Sequence, residues 1–456
     1  MRVWLPHLKR RLDDTLSLTQ VRQASPPLVL AVSFLLLILL GSLLLWLPVA
    51  SHRGLSYWQA LFTACSAVTV TGLSVVDLGS HMTLFGQAVV MGLIQLGGLG
   101  LMTFAGLSVI ALGGQLGLRG QKLVREALDQ TAPGDILVMV RHVAMLAFVL
   151  EALGACALAT VWVPQLGWGR GLWFSLFHSV SAFNNAGFGL LPDSLTRWAG
   201  SPVVNLVITA LLIIGGLGFT VLMDLWRRRG FARLSLHSKL TLSGTVILAL
   251  GAWGLIMLFE WHNADTLAAL APADRPWAAW FAAVTPRTAG FNTIDVAGLS
   301  APSTLLTMFL MFIGGGSNST ASGIKVSTFM VVILATRTFL KGAAQPVAFR
   351  RAVAMGAVFR AYTVVVLSLL LVMLACFLLV ILQPQMRPMD LLFEGFSAFG
   401  TVGLSRGITA DLSMPGQAVL MVLMFAGRIG PLALAFSLAR PHRGKVRYSE
   451  DQVQIG

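Results

Sequence analysis

Residues 62–73 read FTACSAVTVTGL, and the arrangement returns three times: FHSVSAFNNAGF at 177–188, WFAAVTPRTAGF at 280–291 and FEGFSAFGTVGL at 393–404. In each, an aromatic residue (Phe62, Phe177, Trp280, Phe393) is followed ten positions on by a glycine (Gly72, Gly187, Gly290, Gly403) that closes a short polar run. Each stretch lies between two long apolar runs. An apolar helix, a re-entrant segment turned by a glycine and a second apolar helix make one unit of a pore lining, and four units can surround one axis. The spacing predicts an all-α polytopic membrane protein. It has four helix–re-entrant pore loop–helix repeats, eight spanning helices in all, around a pseudo-fourfold central pore.

Composition places the chain in lipid. Of its 456 residues, 56% are hydrophobic and only 11% charged, against roughly 25% charged in soluble domains. The net charge is +14, which in a soluble protein would point to nucleic acid. Here the basic residues gather between repeats and at the ends. The clusters are Arg2, Lys9, Arg10, Arg11 and Arg22; Arg119, Lys122, Arg125 and Arg141; Arg227, Arg228, Arg229, Arg233 and Lys239; Arg337, Lys341, Arg350, Arg351 and Arg360; and Arg440, Arg443, Lys445 and Arg447. By the positive-inside rule all five are cytoplasmic, both termini with them, so each repeat leaves and returns to one side. This excludes an alternating-access carrier made of inverted odd-span units. The three cysteines, Cys65, Cys156 and Cys376, lie in separate apolar segments, so there is no disulfide framework or metal spacing. Nor is there a catalytic motif of the HExxH, nucleophile-elbow or Walker kind, so the chain reads as no enzyme.

The divisions follow. A cytoplasmic stretch occupies 1–27. Repeat A covers 28–112, repeat B 138–223, repeat C 240–336 and repeat D 356–438, and a cytoplasmic tail covers 439–456. The outer and inner apolar runs have the roughly 20 residues a helix needs to cross a bilayer; the re-entrant apolar parts are too short. A second landmark sits on the inner helices: GGLG at 97–100, GGLG at 215–218, GGG at 314–316, and Gly427 with Gly430. Small residues there let helices approach closely.

Non-helical backbone at membrane depth is tolerated only where protein buries it or water lines it. The four loops therefore read as carbonyl rings for a dehydrated cation. Their residues are Thr69, Val70, Thr71 and Gly72; Asn184, Asn185, Ala186 and Gly187; Arg287, Thr288, Ala289 and Gly290; and Gly400, Thr401, Val402 and Gly403. Glycine permits the backbone conformation and leaves no side chain on the axis. With no Asp or Glu in the loops, carbonyl coordination of a monovalent ion is expected. Asp77, Asp193, Asp295 and Asp411 follow the loops, either as a cation-concentrating mouth or as turn and cap residues.

TVTGL, NNAGF, RTAGF and GTVGL, in that order, resemble the filter loops of the Trk/Ktr/HKT superfamily of potassium transporters. GGGSNSTASGIKVSTF (314–329) resembles its intramembrane loop in the third inner helix, and FAGRIGPLAL (425–434) its fourth inner helix. The chain opens directly on repeat A, as in the KtrB-type subunits of Ktr systems. The resemblance implies potassium bound in the filter, with sodium stimulation of uptake. It implies a homodimer in a bacterial inner membrane, and a cytoplasmic KtrA-type regulatory ring that binds ATP/ADP or NAD. The chain shows no nucleotide-binding domain of its own. In the family a serine at the first filter glycine accompanies sodium permeation; Gly72 favours potassium. A sodium-permeable or poorly selective transporter of the same fold is the alternative.

Gly314, Gly315, Gly316, Ser317, Asn318, Ser319 and Thr320 compete with helical hydrogen bonding, and the reading is a gate loop below the filter. Only repeat C is expected to carry such a break. The sequon Asn318-Ser319-Thr320 is set aside at that depth. Three further basic residues fall at membrane depth, where charge is costly and usually functional. The resemblance puts Arg428 beside the gate loop as a barrier charge. Arg287 is expected to pair with Glu394. Lys325 is either part of the gate or snorkels toward the cytoplasm. Glu151 has no partner that the sequence identifies.

Overall fold

The structure is a computed structural model that describes residues 26–111 and 136–430. Nearly all of the N-terminal stretch, the loop bearing Arg119, Lys122 and Arg125, and the tail 439–456 lie outside the described residues.

The helices begin where short polar residues and prolines allow them to. Ser56 caps α2 (Tyr57–Val68) in a reciprocal capping box with Gln59. Thr83 precedes α3 (Leu84–Ala111) and accepts from the Gly86 amide. Ser201 caps α6 (Pro202–Leu217), and Ser413 caps α14 (Met414–Ile429); each of these helices carries proline in its first turn, where the missing N–H costs nothing. The remaining helices are α1 (Pro26–Trp46), α4 (Ile136–Leu166), α5 (Trp168–Phe183), α7 (Phe219–Arg228), α8 (Leu236–Glu260), α9 (Arg275–Val284), α10 (Ala301–Phe312), α11 (Val326–Leu340), α12 (Met355–Leu382) and α13 (Pro388–Gly400).

Among the described residues, Arg141–Leu166, Leu236–Glu260 and Met355–Leu382 are long and apolar enough to cross a membrane, and α6 with α7 makes a fourth, bent candidate. Only 28% of the most apolar window of each of the three is buried. The outward faces carry Leu370, Leu374 and Phe377 on α12 and Ile247, Leu250 and Leu258 on α8. Apolar surface on this scale needs lipid around it. Helices α2, α5, α9 and α13, at 12, 16, 10 and 13 residues, are too short to span.

These short helices are the centre of the packing. Each packs on the outer helix of its own unit and on the inner helix of the preceding one: α3 packs on α5, α6 on α9, α10 on α13, and α14 returns to α2. The circuit is therefore closed. Indole donors mark it: Trp173 Nε1 donates to Gln87 on α3 at 2.8 Å, Trp280 Nε1 to Thr209 on α6 at 3.2 Å, and Trp58 Nε1 to Gln417 on α14 at 2.6 Å. At the remaining junction Arg406, beyond α13, donates to Thr304 on α10 at 3.1 Å and holds Asp390 at 2.6 Å.

The inner-helix glycines explain how close the helices come. A methyl group on Gly97 would lie 2.0 Å from the Val68 carbonyl oxygen, on Gly215 2.0 Å from that of Phe183, and on Gly427 1.9 Å from that of Phe399. Each is the end of the unit's own short helix. In the third unit Gly314 meets the Ser322 carbonyl instead, because the inner helix there is interrupted from 313 to 325.

Two sequence expectations need correction. The break is not confined to the third unit: α6 and α7 are bent by 92° at Gly218, whose φ is +91°. A methyl there would strike the Ser317 carbonyl at 2.2 Å, so the bend makes room for the loop of the neighbouring unit. The fold also includes two short strands, Val347–Ala348 (β1) and Arg351–Ala352 (β2), paired antiparallel between α11 and α12.

Gly427→Ala should lower stability by about 1–3 kcal/mol through overpacking against Phe399. Gly92→Ala, whose methyl meets nothing within 4 Å, should not. Thermal melting of the detergent-solubilised variants checks the contrast, and equal melting temperatures would contradict the packing account.

Candidate functional site

At the end of each short helix the chain enters a loop of matched backbone conformation. Val70, Asn185, Thr288 and Thr401 have φ of +57°, +60°, +71° and +47°; two residues on, Gly72, Gly187, Gly290 and Gly403 have +94°, +68°, +78° and +88°. A left-handed residue on either side of an ordinary one is rare for non-glycine chain. Here it recurs four times at one register. The loop amides are held from behind: Thr71, Ala186 and Val402 each donate to a helix carbonyl (Ser66, Ser181, Ser397) at 2.8 Å, and Ala289 donates to Thr285 at 2.9 Å. Ser66 Oγ and Ser397 Oγ also accept from Gly72 and Gly403 at 3.1 Å.

The ten-residue spacing misassigns one register. In the third unit the buried aromatic equivalent to Phe62, Phe177 and Phe393 is Phe281 rather than Trp280. Thr285 takes the place of Ser66, Ser181 and Ser397, and the third loop is one residue shorter.

The four glycines close a ring. A methyl group on Gly72 would fall 2.3 Å from the Ala186 carbonyl oxygen, on Gly187 2.7 Å from that of Ala289, on Gly290 2.3 Å from that of Val402, and on Gly403 2.2 Å from that of Thr71. The carbonyl preceding each glycine thus lies against the glycine of the preceding unit. A side chain at any of these positions would require the neighbouring loop to shift, and φ disfavours one independently. Among the described residues none of these four oxygens accepts a hydrogen bond. Buried carbonyls normally find a partner.

The loop that interrupts the third inner helix is docked beside this ring. Gly316 and Thr320 donate their amides to Gly216 and Gly215 at 2.7 and 3.3 Å, and Phe219 donates to Asn318 at 3.0 Å. Gly314 donates to Ile324 and Val326 to Gly315, each at 2.9 Å, so the two helix ends are stitched across the break. Thr320 Oγ1 bonds Asn185 Oδ1 at 2.8 Å, tying this loop to the second glycine loop. Ser319 Oγ donates to Gly316 at 2.7 Å within the loop, and Ser317 meets Ser327 at 3.3 Å.

Two cations hold it. Arg428, 4% exposed, reaches the Thr320 carbonyl and Ser322 Oγ with one nitrogen, and the Gly97 and Gly98 carbonyls with the other, at 2.6 Å to Gly97. It therefore joins the fourth inner helix to the third-unit loop and the first inner helix. Lys325 turns back to donate to the Ala321 carbonyl at 2.7 Å rather than extending outward.

Other expectations resolve differently. Arg287 does not pair with Glu394. It donates to Thr245 on α8 at 3.3 and 3.5 Å, and among the described residues its Nε has no partner. Glu394 accepts from Ser405 Oγ, the Arg406 amide and Thr409 Oγ1, so it organises the chain after its own loop. Asp77 caps a one-turn helix, Leu78–His81, Asp193 holds Thr196 and Arg197, and Asp295 accepts from the Ala297 amide, so these three act locally. Asp411 is exposed. Glu151 does have partners: Gln95 at 3.2 Å and Asn184 at 3.0 Å. Its lone acidic character in an apolar helix was the available signal, but the partners come from two other elements.

A model of the family described as "TrkH: Cation transport protein" matches residues 6–444 of this chain. The chain belongs to the TrkH family. That family is one of cation transport proteins rather than of enzymes. The chain is 48% identical over 432 residues to the Ktr system potassium uptake protein B of Bacillus subtilis, covering 95% of this chain and 97% of that one. It is 38% identical to the potassium/sodium uptake protein NtpJ of Enterococcus hirae, over 95% and 98%. The crystal structure of the potassium transporter TrkH from Vibrio parahaemolyticus superposes with a TM-score of 0.71 at 21% identity, covering 90% of this chain and 83% of that one. This TrkH-family fold therefore persists well below the identity of the nearer relatives.

Arg428→Lys replaces a two-pronged planar donor with a single ammonium and leaves a buried acceptor unmet, at about 1–3 kcal/mol. Hydrogen–deuterium exchange of the peptide spanning 316–322 should rise in this variant of the solubilised protein. Unchanged exchange would show that Arg428 does not restrain the loop.

Proposed function

We propose that this chain is the potassium-translocating membrane subunit of a bacterial potassium uptake system. The observation that carries the reading is the glycine ring, with four buried carbonyl oxygens at matched positions and, among the described residues, no protein donor for any of them. Such oxygens can replace the hydration shell of a monovalent cation. The filter would comprise Thr69–Gly72, Asn184–Gly187, Arg287–Gly290 and Gly400–Gly403, and would hold potassium, the only ion the function requires there. The names of the Bacillus and Enterococcus relatives support potassium uptake as the task.

In this reading the four units are four helix–pore loop–helix repeats with eight spans about a central pore, and both termini are cytoplasmic. The cytoplasmic placement rests on the basic clusters. Residues 314–320, with Lys325 and Arg428, form the gate: buried backbone beside the filter, held by a few polar contacts, is a natural two-state element. A Ktr-type system name among the relatives supports a separate regulatory partner. We assign it as a cytoplasmic KtrA-type ring binding ATP/ADP or NAD, acting on a homodimer of this chain, with sodium stimulating uptake.

A second reading, a sodium-permeable transporter of the same fold, is favoured by the potassium/sodium name of the Enterococcus relative. Rubidium and sodium uptake by the chain in a potassium-uptake-deficient strain separates the two: rubidium uptake in excess of sodium is expected, and equal uptake would favour the second. Gly72→Ser should weaken discrimination against sodium, and unaltered selectivity would count against the filter assignment. Deleting 314–319 should raise flux and loosen dependence on the partner; transport at the wild-type rate would remove the gate.

A further inference from the structure

The position three residues before each ring glycine is held by four different residues: Thr69, Asn184, Arg287 and Gly400. Thr69 is satisfied locally, its Oγ1 bonding the Cys65 carbonyl at 2.7 Å and Thr71 Oγ1 at 2.8 Å. Gly400 has no side chain. Arg287 reaches Thr245 on the outer helix of its unit. Asn184 alone of the four leads to a carboxylate.

Asn184 Nδ2 faces Glu151 Oε1 at 3.0 Å and Gln95 Oε1 at 2.7 Å, while Gln95 Nε2 donates to Glu151 Oε2 at 3.2 Å. The triangle joins α3 of the first unit, α4 of the second and the first residue of the second glycine loop. Asn184 is fully buried and Glu151 is 3% exposed. The site is also braced from both sides. Ser179 Oγ donates to the Glu151 carbonyl at 2.6 Å, and a methyl on Gly98 would meet Asn184 Oδ1 at 2.0 Å. Among the described residues no Lys, Arg or His makes an ion pair with Glu151. A carboxylate at membrane depth with amide donors and no countercharge is costly and usually functional, and its field is little screened in that surrounding.

We propose that Glu151 is a positioning residue whose carboxylate, acting through Gln95 and Asn184, sets the cation affinity of the second filter loop. The proposal rests on the filter reading. The carboxylate fixes the side chain of the loop's first residue and supplies negative potential behind carbonyls that would hold a cation. The second loop is thereby the electronegative quarter of the ring, next to a third loop backed by Arg287.

The test uses the whole chain with its own regulatory partner in a strain lacking other potassium uptake, and reads rubidium KM and Vmax separately. Glu151→Gln keeps the side chain's size and removes its charge. Its KM should rise roughly tenfold, the scale of one unscreened charge near the site, with Vmax retained. Adding Asn184→Asp to that variant restores a carboxylate beside the loop, and KM should fall back toward the wild-type value. An unchanged KM in Glu151→Gln, or a loss of Vmax and membrane protein at unchanged KM, would overturn the proposal, as would failure of the double variant to recover KM. Gly72→Ser distinguishes the two levels: if it leaves sodium discrimination intact, the filter reading itself falls, whatever Glu151→Gln does.

Discussion

Everything in this protein is arranged around backbone that cannot bond to itself. Four loops lie buried inside a molecule with large apolar outward faces, and among the described residues the carbonyls of Thr71, Ala186, Ala289 and Val402 lack protein donors. In hydrocarbon such groups would cost several kcal/mol each. The surroundings therefore have to hold the loops rigidly while leaving those oxygens free. Short helices do so by taking up the loop amides, the neighbouring glycine admits each carbonyl, and glycines on the inner helices let the short helices end where they do. Removing any one of these devices disturbs the others, because the ring closes from the fourth unit back onto the first.

The same constraint explains why polar and charged side chains appear at depth. Arg428 donates to three carbonyls and the Ser322 hydroxyl at a junction of three units, where irregular backbone would otherwise go unmet. Lys325 does the same for Ala321. Behind the second loop, Asn184 and Gln95 meet Glu151. Each of these side chains attaches irregular or glycine-lined backbone to a helix, and none forms an ion pair among the described residues.

Asymmetry enters at particular residues. The third loop is one residue shorter than the others, with Thr285 standing for serine. The loop 313–325 breaks the third inner helix, and the bend at Gly218 in the second accommodates it, so the two irregularities are one structural event shared between neighbours. The first inner helix, by contrast, runs unbroken from Leu84 to Ala111.

The glycine positions, the apolar runs and the break at 314–323 were legible in the sequence because each is local. A glycine, a long apolar run or a cluster of Gly, Ser and Thr restricts its own backbone whatever surrounds it. Partnership was not legible. The pairing of Arg287 with Glu394 was plausible on charge alone, yet Thr245 and Ser405 stand closer, and Glu151 finds partners 56 and 33 residues away. The helix break at Gly218 was hidden because GGLG in the second unit reads like GGLG in the first; only contact with Ser317 and Asn318 separates them. The sequence by itself determined the class of the protein, the four loops and where its backbone leaves the helix, since these follow from propensity and hydropathy along the chain. Tertiary structure alone decided the order in which the loops touch, which carbonyls remain unpaired and which buried charges meet, because those depend on distances between residues that the chain does not place side by side.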